Sequence, residues 1–363
     1  MDRRALNRAT LARQLLLDRA TLPVAAAVEH LIGLQAQTPQ SWYVGLWSRL
    51  ADLNPVAVGE LLERRELVRL PVMRSTIHLL TAGDALALRP VTQSPIERST
   101  MGVFGRQLAG VDRDVLVAAA TELVGERPLI ASELGGLLAE RFPGHDPTAL
   151  AQGARAWLPL VQVPPRGVWG RSGRALQSPL ETWLGRPQSA LPLERLVRRY
   201  LGAFGPATVR DVQTWCGLTK LAEVLDGLRP QLRIFTDPDG AELFDLPDAP
   251  RPGPDTPAPV RFLYDYDILL LSHADRRRFF SEQGDTDYAG QGYTAEANLQ
   301  PSSVLVDGLI AATWTVRRQR RDVTLSVRGF RRLTSAERAG VEAEGAALLA
   351  FLHPGLAADV QLS

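Results

Sequence analysis

Lysine and cysteine are almost absent from this chain of 363 residues, in which Lys220 is the only lysine and Cys216 the only cysteine. A single cysteine excludes an internal disulfide and any zinc or iron–sulfur site built from several thiolates. A single lysine leaves one candidate for a mechanism that forms a Schiff base. The five histidines are far apart and form no HExxH pair, so we expect neither a metal ion nor another cofactor.

Long hydrophobic runs are also missing. No stretch approaches the roughly 20 apolar residues of a transmembrane helix, since even the apolar run 304–314 is interrupted by Asp307 and Gly308. The N-terminal segment returns to charge after a few apolar positions and offers no small-residue cleavage site, so it does not resemble a signal peptide. We therefore expect a cytoplasmic protein without a membrane partner.

The chain has little excess charge, with a formal net charge of +1. So small an excess does not by itself indicate a nucleic-acid-binding protein. Almost all of the positive charge is arginine, whose planar guanidinium suits phosphates and base edges. Hydrophobic residues make up 45% of the chain and charged residues 22%, a balance typical of a folded protein, and the length suits two or three domains.

The predicted elements repeat one order, helices followed by a β-hairpin, which is the order of a winged helix. The first set has helices at 6–17, 24–31, 40–50 and 56–64 and strands at 67–70 and 74–80. The second has helices at 113–124, 132–141 and 148–157 and strands at 160–164 and 168–171. The third has helices at 193–204, 207–216 and 218–228 and strands at 231–236 and 241–245.

The character of the chain changes after the third set. Residues 246–260 are rich in proline and predict a stiff, extended connector. Strands are predicted beyond it at 262–271, 303–306, 309–317 and 322–328. A long helix at 334–352, opened by a Ser335 or Thr334 cap, is expected to lie on the resulting sheet.

Gln35 and Gln37 form the first candidate site. They lie between Gly33, which closes a helix, and Pro39, which disfavours helical geometry at the residue before it. In an extended chain, residues two apart point to the same side, so both amides can converge on one water molecule. Taken alone, two glutamines near a turn are more often solvated or bound to backbone groups.

Three further segments combine arginine with histidine or tryptophan. The strand predicted at 74–80 carries a polar face that suits a phosphate or base edge, or is simply exposed. Residues 271–278 form either an electrostatic site or a charged turn, and residues 314–321 form either a basic hairpin that follows DNA or a solvated run. The predicted DNA contacts are Arg74, Thr76, His78, His273, Arg276, Arg277, Arg278, Trp314, Arg317 and Arg318.

Asp265 and Asp267 offer a weaker alternative. On a strand they would share a face, as the acid–base pair of a glycosidase does. Adjacent carboxylates on a strand more often cap turns or bind arginines. The chain has no GxSxG, P-loop or GxGxxG motif after a strand, so nucleotide hydrolysis and Rossmann chemistry have no support.

Four segments together resemble the family of AlkZ and YcaQ. They are LIGLQAQTPQSWYVGLWSRL at 31–50, VMRSTIHLL at 72–80, the stretch from Tyr264 to HADRRR at 264–278, and the VDG and ATW elements at 306–314. Ala312 stands where the family usually has glycine. The resemblance implies an α+β fold of three tandem winged-helix domains around a basic concave surface for duplex DNA. We place these domains at 1–105, 106–188 and 189–363, the last with a C-terminal portion of mixed sheet and helix.

The same resemblance implies a DNA glycosylase that excises alkylated purines, acts as a monomer and needs no metal. Gln35-Ala36-Gln37 matches the family's Gln–hydrophobic–Gln signature. That branch includes self-resistance enzymes of antibiotic producers, which unhook bulky adducts and interstrand crosslinks. With one lysine, we expect a monofunctional enzyme that leaves an abasic site. The rival interpretation is a winged-helix DNA-binding or regulatory protein without excision activity, because a fold does not prove a function.

Overall fold

Helices and short strands alternate through residues 1–281 and 301–363, the part of the chain that this computed structural model describes. The described helices are α1 (Arg3–Arg13), α2 (Val24–His30), α3 (Trp42–Trp47), α4 (Pro55–Glu63), α5 (Ala82–Val91), α6 (Gln93–Phe104), α7 (Arg113–Glu126), α8 (Ala131–Arg141), α9 (Pro147–Trp157), α10 (Leu180–Leu184), α11 (Leu193–Phe204), α12 (Val209–Cys216), α13 (Ala222–Leu228), α14 (Ile268–Leu271) and α15 (Ser335–Leu352). The described strands are β1 (Leu34–Gln35), β2 (Leu67–Pro71), β3 (Ile77–Thr81), β4 (Leu160–Gln162), β5 (Gln177–Pro179), β6 (Arg233–Thr236), β7 (Glu242–Asp245), β8 (Arg261–Leu263), β9 (Ser303–Val306), β10 (Leu309–Arg318), β11 (Asp322–Gly329) and β12 (Ala357–Leu362). The fold is α+β, as expected.

One five-stranded sheet joins strands of the first two predicted sets, in the order β1-β3-β2-β4-β5. All of its pairs are antiparallel. Gln35 on β1 lies opposite His78 on β3, and Arg69 on β2 lies opposite Gln162 on β4. The strand that carries Gln35 therefore forms an edge of this sheet.

A second five-stranded sheet has the order β12-β11-β10-β9-β8. Its β9–β10 hairpin turns at Asp307 and Gly308, whose φ angles of 48° and 77° are those of a mirror-image turn. A Cβ at Gly308 would lie 2.5 Å from Nη1 of Arg8, so only glycine fits there. Helix α15 begins at a capping box of Thr334 with Glu337 and packs on this sheet, as predicted.

The strand predicted at 262–271 is wrong beyond Leu263. Tyr266 has a φ of 62°, which interrupts an extended chain. The carboxylate of Asp267 then accepts a hydrogen bond of 2.9 Å from the Leu269 backbone N–H and caps the short helix α14. Asp265 and Asp267 therefore do not share a strand face.

Two predicted hairpins differ from the structure. Strand β4 pairs with β5 rather than with residues 168–171, because 168–171 is itself folded into turns, in which the Arg171 N–H donates to the Val168 carbonyl at 3.1 Å. The strand predicted from 74 begins at Ile77, since Arg74 and Ser75 lie in a 3₁₀ turn with φ angles of 53° and 61°. The third predicted hairpin, β6–β7, is confirmed.

Residues 246–260 contain neither helix nor strand, as predicted, and run beside α1. Arginines of α1 hold this segment in place. Nε of Arg4 donates to the Pro254 carbonyl at 2.7 Å, and Nε of Arg8 donates to the Thr256 carbonyl at 2.6 Å. Separately, helices α7, α8 and α9 enclose an apolar core of their own.

Candidate active site

The side chain of Gln35 is buried at the edge of the first sheet, with 3% of its surface exposed. Its Oε1 accepts a hydrogen bond of 2.8 Å from Nη2 of Arg74. The Thr76 hydroxyl lies 3.2 Å from the same oxygen and 3.1 Å from the Met73 carbonyl, so its single proton is shared between two acceptors. The guanidinium therefore fixes which end of the Gln35 amide is oxygen.

Gln37 follows on the same edge, but its side chain is exposed. Its Oε1 accepts one long hydrogen bond, 3.3 Å, from the Ile77 backbone N–H. Between the two glutamines, the Ala36 N–H donates to the Ile77 carbonyl at 2.7 Å and continues the strand pairing. The two amide oxygens are thus bound by residues 74–77, one inside the protein and one at its surface.

Arg74 joins this edge to helix α12. Its backbone is left-handed, and its Nη1 donates to the Trp215 carbonyl at 2.6 Å, near the C-terminal end of the helix. A cation is favourable at that end because the helix carbonyls point towards it. Burial lowers the pKa of Arg74 to about 10. Arg74 therefore orients Gln35 in this conformation, with both of its terminal nitrogens engaged.

His78, opposite Gln35, is 1% exposed. Its Nδ1 lies 2.9 Å from the Thr76 carbonyl, to which only a protonated nitrogen can donate. Its Nε2 is then an acceptor, and it is buried without a partner among the described residues. Burial, with a smaller contribution from the charge of Arg74, lowers the pKa of His78 to about 3, so the ring is neutral at physiological pH.

His273 belongs to a different buried group. Its Nε2 lies 3.0 Å from the Phe204 carbonyl, and the carboxylate of Asp211 accepts from the Ala274 N–H at 2.8 Å. Arg278 is also buried and donates to the Pro206 carbonyl at 3.0 Å. Burial, followed by the charge of Arg278, lowers the pKa of His273. These residues tie α11 and α12 to the segment that follows α14.

The other two arginines of this segment differ in their partners. Arg277 is exposed and pairs with Asp275 at 2.6 Å and Asp239 at 2.7 Å. Arg276 is partly exposed and forms no ion pair with any residue in 1–281 or 301–363. Arg276 is therefore the guanidinium of this segment that is available to a ligand.

Trp314 lies in the second sheet with 9% of its surface exposed. Its indole N–H donates to the Leu263 carbonyl at 2.9 Å, and its ring packs edge-on against Phe262. Arg317 and Arg318, at the end of β10, are exposed and have no ion-pair partner in the described chain. The tryptophan supports the sheet, and the two arginines lie at the surface.

The two aspartates of the weaker alternative have separate structural roles. Asp265 accepts a hydrogen bond from the Thr38 hydroxyl. Asp267 forms a buried, two-pronged ion pair with Arg49, with N–O distances of 2.6 and 2.9 Å. The structure therefore does not bring these carboxylates together as an acid–base pair.

The described residues contain no helix long and apolar enough to cross a membrane, and no group of three acidic, histidine or cysteine side chains arranged for a metal ion. The family model for AlkZ-like DNA glycosylases matches residues 28–351, which include both glutamines and the residues that hold them. The chain belongs to the AlkZ-like DNA glycosylase family. The resemblance drawn from the sequence motifs is confirmed.

The AlkZ-like fold also appears in a comparison with solved structures. The chain is similar to the DNA glycosylase AlkZ of Streptomyces sahachiroi, with a TM-score of 0.76, 21% sequence identity and 99% of each chain covered. A likeness at this identity establishes the fold. A comparison with curated proteins gives no match.

In this AlkZ-like chain, sequence reasoning missed a second guanidinium under the glutamine segment. Arg69 is buried within β2 and donates from Nη2 to the Ala36 carbonyl at 2.8 Å, between the two glutamines. Burial lowers its pKa to about 10. An arginine inside an otherwise apolar strand was the available signal, because a buried charge usually has a specific acceptor.

Proposed function

We propose that this AlkZ-like protein is a monofunctional DNA glycosylase that hydrolyses the N-glycosidic bond of alkylated purines in double-stranded DNA. The observation that carries the proposal is the placement of the Gln35 and Gln37 amides on one strand edge, with their oxygens bound by residues 74–77. Neither amide carries a charge. The pair therefore suits a reaction whose leaving group is already activated.

Purines alkylated at N7 of guanine or N3 of adenine are such leaving groups. The alkylated base is cationic, and it departs as a neutral molecule when the bond to C1′ breaks. The enzyme then has to hold a water beneath C1′ and stabilise an oxocarbenium-like sugar, and positioned carbonyl oxygens can do both. A Gln–Gln pair should therefore favour cationic lesions over neutral ones.

The two amides differ in what they can offer to a water. Oε1 of Gln35 is buried, accepts from Arg74 and has the Thr76 hydroxyl within reach. Oε1 of Gln37 accepts only one long bond in the described structure, and its side chain is exposed. A carbonyl oxygen has two lone pairs, so Gln37 keeps one for a water. We assign the water to Gln37 and the positioning of the strand edge to Gln35.

Water, rather than a lysine amine, is the nucleophile in this proposal. Lys220 is the single lysine, and it is exposed between α12 and α13. Attack by water releases the base and leaves an intact abasic site. Attack by an amine would instead form a Schiff base, which borohydride traps as a covalent complex with DNA.

The DNA-binding surface in this proposal is a concave face of three winged-helix segments at 1–105, 106–188 and 189–363. Arg276, Arg317 and Arg318 support it, because they are exposed or partly exposed and lack ion-pair partners in the described residues. An open groove would also admit bulky adducts and interstrand crosslinks. Self-resistance to an alkylating antibiotic is the role that such a substrate range would serve in a monomeric enzyme.

Release of 7-methylguanine from a duplex oligonucleotide tests the proposal. We expect release by the wild-type protein, its loss in Gln37→Ala, a large reduction in Gln35→Ala, and wild-type release in Gln107→Ala, which alters an exposed glutamine. No borohydride-trapped complex should form. Binding of DNA without release from methylated or bulky-adduct substrates would favour a regulatory protein, and loss of release only in Asp265→Asn would move the site to that carboxylate.

A further inference from the structure

A cavity of about 200 Å³ opens beside Gln37, between the 3₁₀ turn that precedes β3 and the helices α6 and α9. Its polar lining consists of Gln37, Ser75, Thr100, Gln152 and Arg155. These side chains provide two hydroxyls, two amides and a guanidinium. Every one of them can donate a hydrogen bond, and none is a carboxylate.

Arg155 is incompletely satisfied within this cavity. Its Nη1 donates to Oε1 of Gln152 at 3.1 Å, but its Nε is buried and has no acceptor among the described residues. It forms no ion pair within 1–281 or 301–363. Burial of the guanidinium lowers its pKa. A cation held in this way without a counter-ion is costly, and an anion from outside the protein would relieve the cost.

The acidic side chain of α6 on the neighbouring turn does not supply that counter-ion. Glu97 lies one turn before Thr100, but its carboxylate pairs with Arg113 at 2.8 Å and accepts from Gln93 at 2.5 Å. The positive charge of Arg155 therefore has no carboxylate partner among the described residues. It disfavours a cationic alkylated base in this space and favours an anion with several oxygen acceptors.

We infer that this cavity binds a backbone phosphate of DNA next to the damaged nucleotide, with Arg155 and the hydroxyls of Ser75 and Thr100 as donors. The inference rests on the proposed function, because Gln37 lines the same cavity. A phosphate anchored there places the neighbouring sugar at the Gln37 amide. It also neutralises Arg155, so that the guanidinium does not oppose the positive charge that develops on the sugar.

Uncharged phosphate analogues test this contact. Each duplex in a set carries one 7-methylguanine and one methylphosphonate. The methylphosphonate replaces a different phosphate, on one side or the other of the damaged base, in each duplex. For the wild-type protein, one position should lower the single-turnover excision rate by about tenfold to a hundredfold, the range for a hydrogen bond to a charged group. In Arg155→Gln, the excision rate from the 7-methylguanine duplex without a methylphosphonate should fall by the same factor. A methylphosphonate at that position should then have no further effect.

Two other variants separate the contact from a general loss of charge or structure. Arg155→Lys keeps the charge and should remain sensitive to the methylphosphonate. Arg98→Gln removes an exposed arginine from α6 and should keep the wild-type pattern. The inference is wrong if no position affects the wild-type protein, or if Arg155→Gln is as sensitive as wild type. If the wild-type protein excises no base, the proposed function fails, and the affinities of the same duplexes then decide the phosphate contact by the same comparison.

Discussion

The cluster around Gln35 and the cluster around His273 look alike in the sequence, since both place histidine close to arginine, and in the structure both histidines are buried. We call them the glutamine cluster (Gln35, Arg74, Thr76 and His78) and the aspartate cluster (Asp211, His273 and Arg278). They differ in their acceptors. Arg74 donates to an amide oxygen and a helix-end carbonyl, whereas the aspartate cluster contains a carboxylate among its charged groups.

The difference in acceptors indicates that the aspartate cluster stabilises the fold, whereas Arg74 in the glutamine cluster orients the Gln35 amide. Asp211 accepts hydrogen bonds from the backbone of Thr208 and Ala274, and it completes the capping box of α12. Such bonds join elements and contribute to the free energy of unfolding. In the glutamine cluster, the charge of Arg74 acts on a neutral amide and fixes its orientation beside an exposed second glutamine. Under the proposed function, an orientation of this kind serves the reaction more than the stability of the fold.

Loss of the exposed glutamine should produce the largest effect on chemistry. We expect Gln37→Ala to lower the single-turnover rate of 7-methylguanine release by about 10²–10³-fold, as does loss of a preorganised group that stabilises a transition state. Its melting temperature should stay at the wild-type value, because the side chain is exposed. A variant that melts early, or one that retains the wild-type rate, would show that Gln37 does not act as proposed.

Removal of the carboxylate from the aspartate cluster should instead lower stability. We expect Asp211→Ala to reduce the free energy of unfolding by about 3 kcal/mol, because two backbone N–H groups lose a charged acceptor. Urea unfolding measures the change, with Asp239→Ala, which alters an exposed aspartate, as the control. The excision rate per folded molecule should be retained. A stable variant with little activity would place the aspartate cluster in the reaction.

A fall in pH should lower the free energy of unfolding through the histidine of each cluster. The pKa values of His78 and His273 lie below the ordinary value, so the unfolded chain binds protons more readily than the folded one. The stability that depends on neutral histidine is therefore complete above the ordinary pKa and is lost as the pH falls below it. Between pH 7 and pH 5.5, the free energy of unfolding of His78→Gln and of His273→Gln should each fall by about 1 kcal/mol less than that of the wild-type protein.

The excision rate should not follow the same titration. Neither glutamine ionises, and His78, with a pKa of about 3, is neutral from pH 6 to pH 9. The single-turnover rate is therefore expected to be flat from pH 6 to pH 9. A step near the ordinary histidine pKa would indicate that an ionisable group, and not an amide, controls the reaction.

Much of the fold could be predicted from hydrophobic periodicity and turn chemistry, including the β6–β7 hairpin, the lack of helix and strand at 246–260, and helix α15. The pairing of β4 with β5 could not, since only contacts distant in sequence decide between two nearby strand segments. Residues 82–104, for which no element was predicted, form α5 and α6 although Pro90 lies inside α5. There, tertiary packing outweighs the local cost of a proline in a helix.

The glutamine pair is singled out because Gly33 and Pro39 bracket an irregular segment and because the segment resembles the family signature, and its catalytic role stays a prediction. The roles of its neighbours could not be predicted. Strand alternation placed Arg74 on an open polar face, but the left-handed 3₁₀ turn directs it to Gln35 and to the Trp215 carbonyl. Likewise, nothing local to Arg155 indicates that it shares a cavity with a residue more than a hundred positions earlier.

The smallest effect is expected from the hydroxyl in the glutamine cluster. Thr76 shares its proton between Oε1 of Gln35 and the Met73 carbonyl, so Thr76→Val removes about 1 kcal/mol of hydrogen bonding and should slow excision by about fivefold. Thr76→Ser keeps the hydroxyl and should restore most of the rate. If Thr76→Val and Thr76→Ser are equally active, Arg74 alone fixes the Gln35 amide. The second donor, the Thr76 hydroxyl, is then not needed for the reaction.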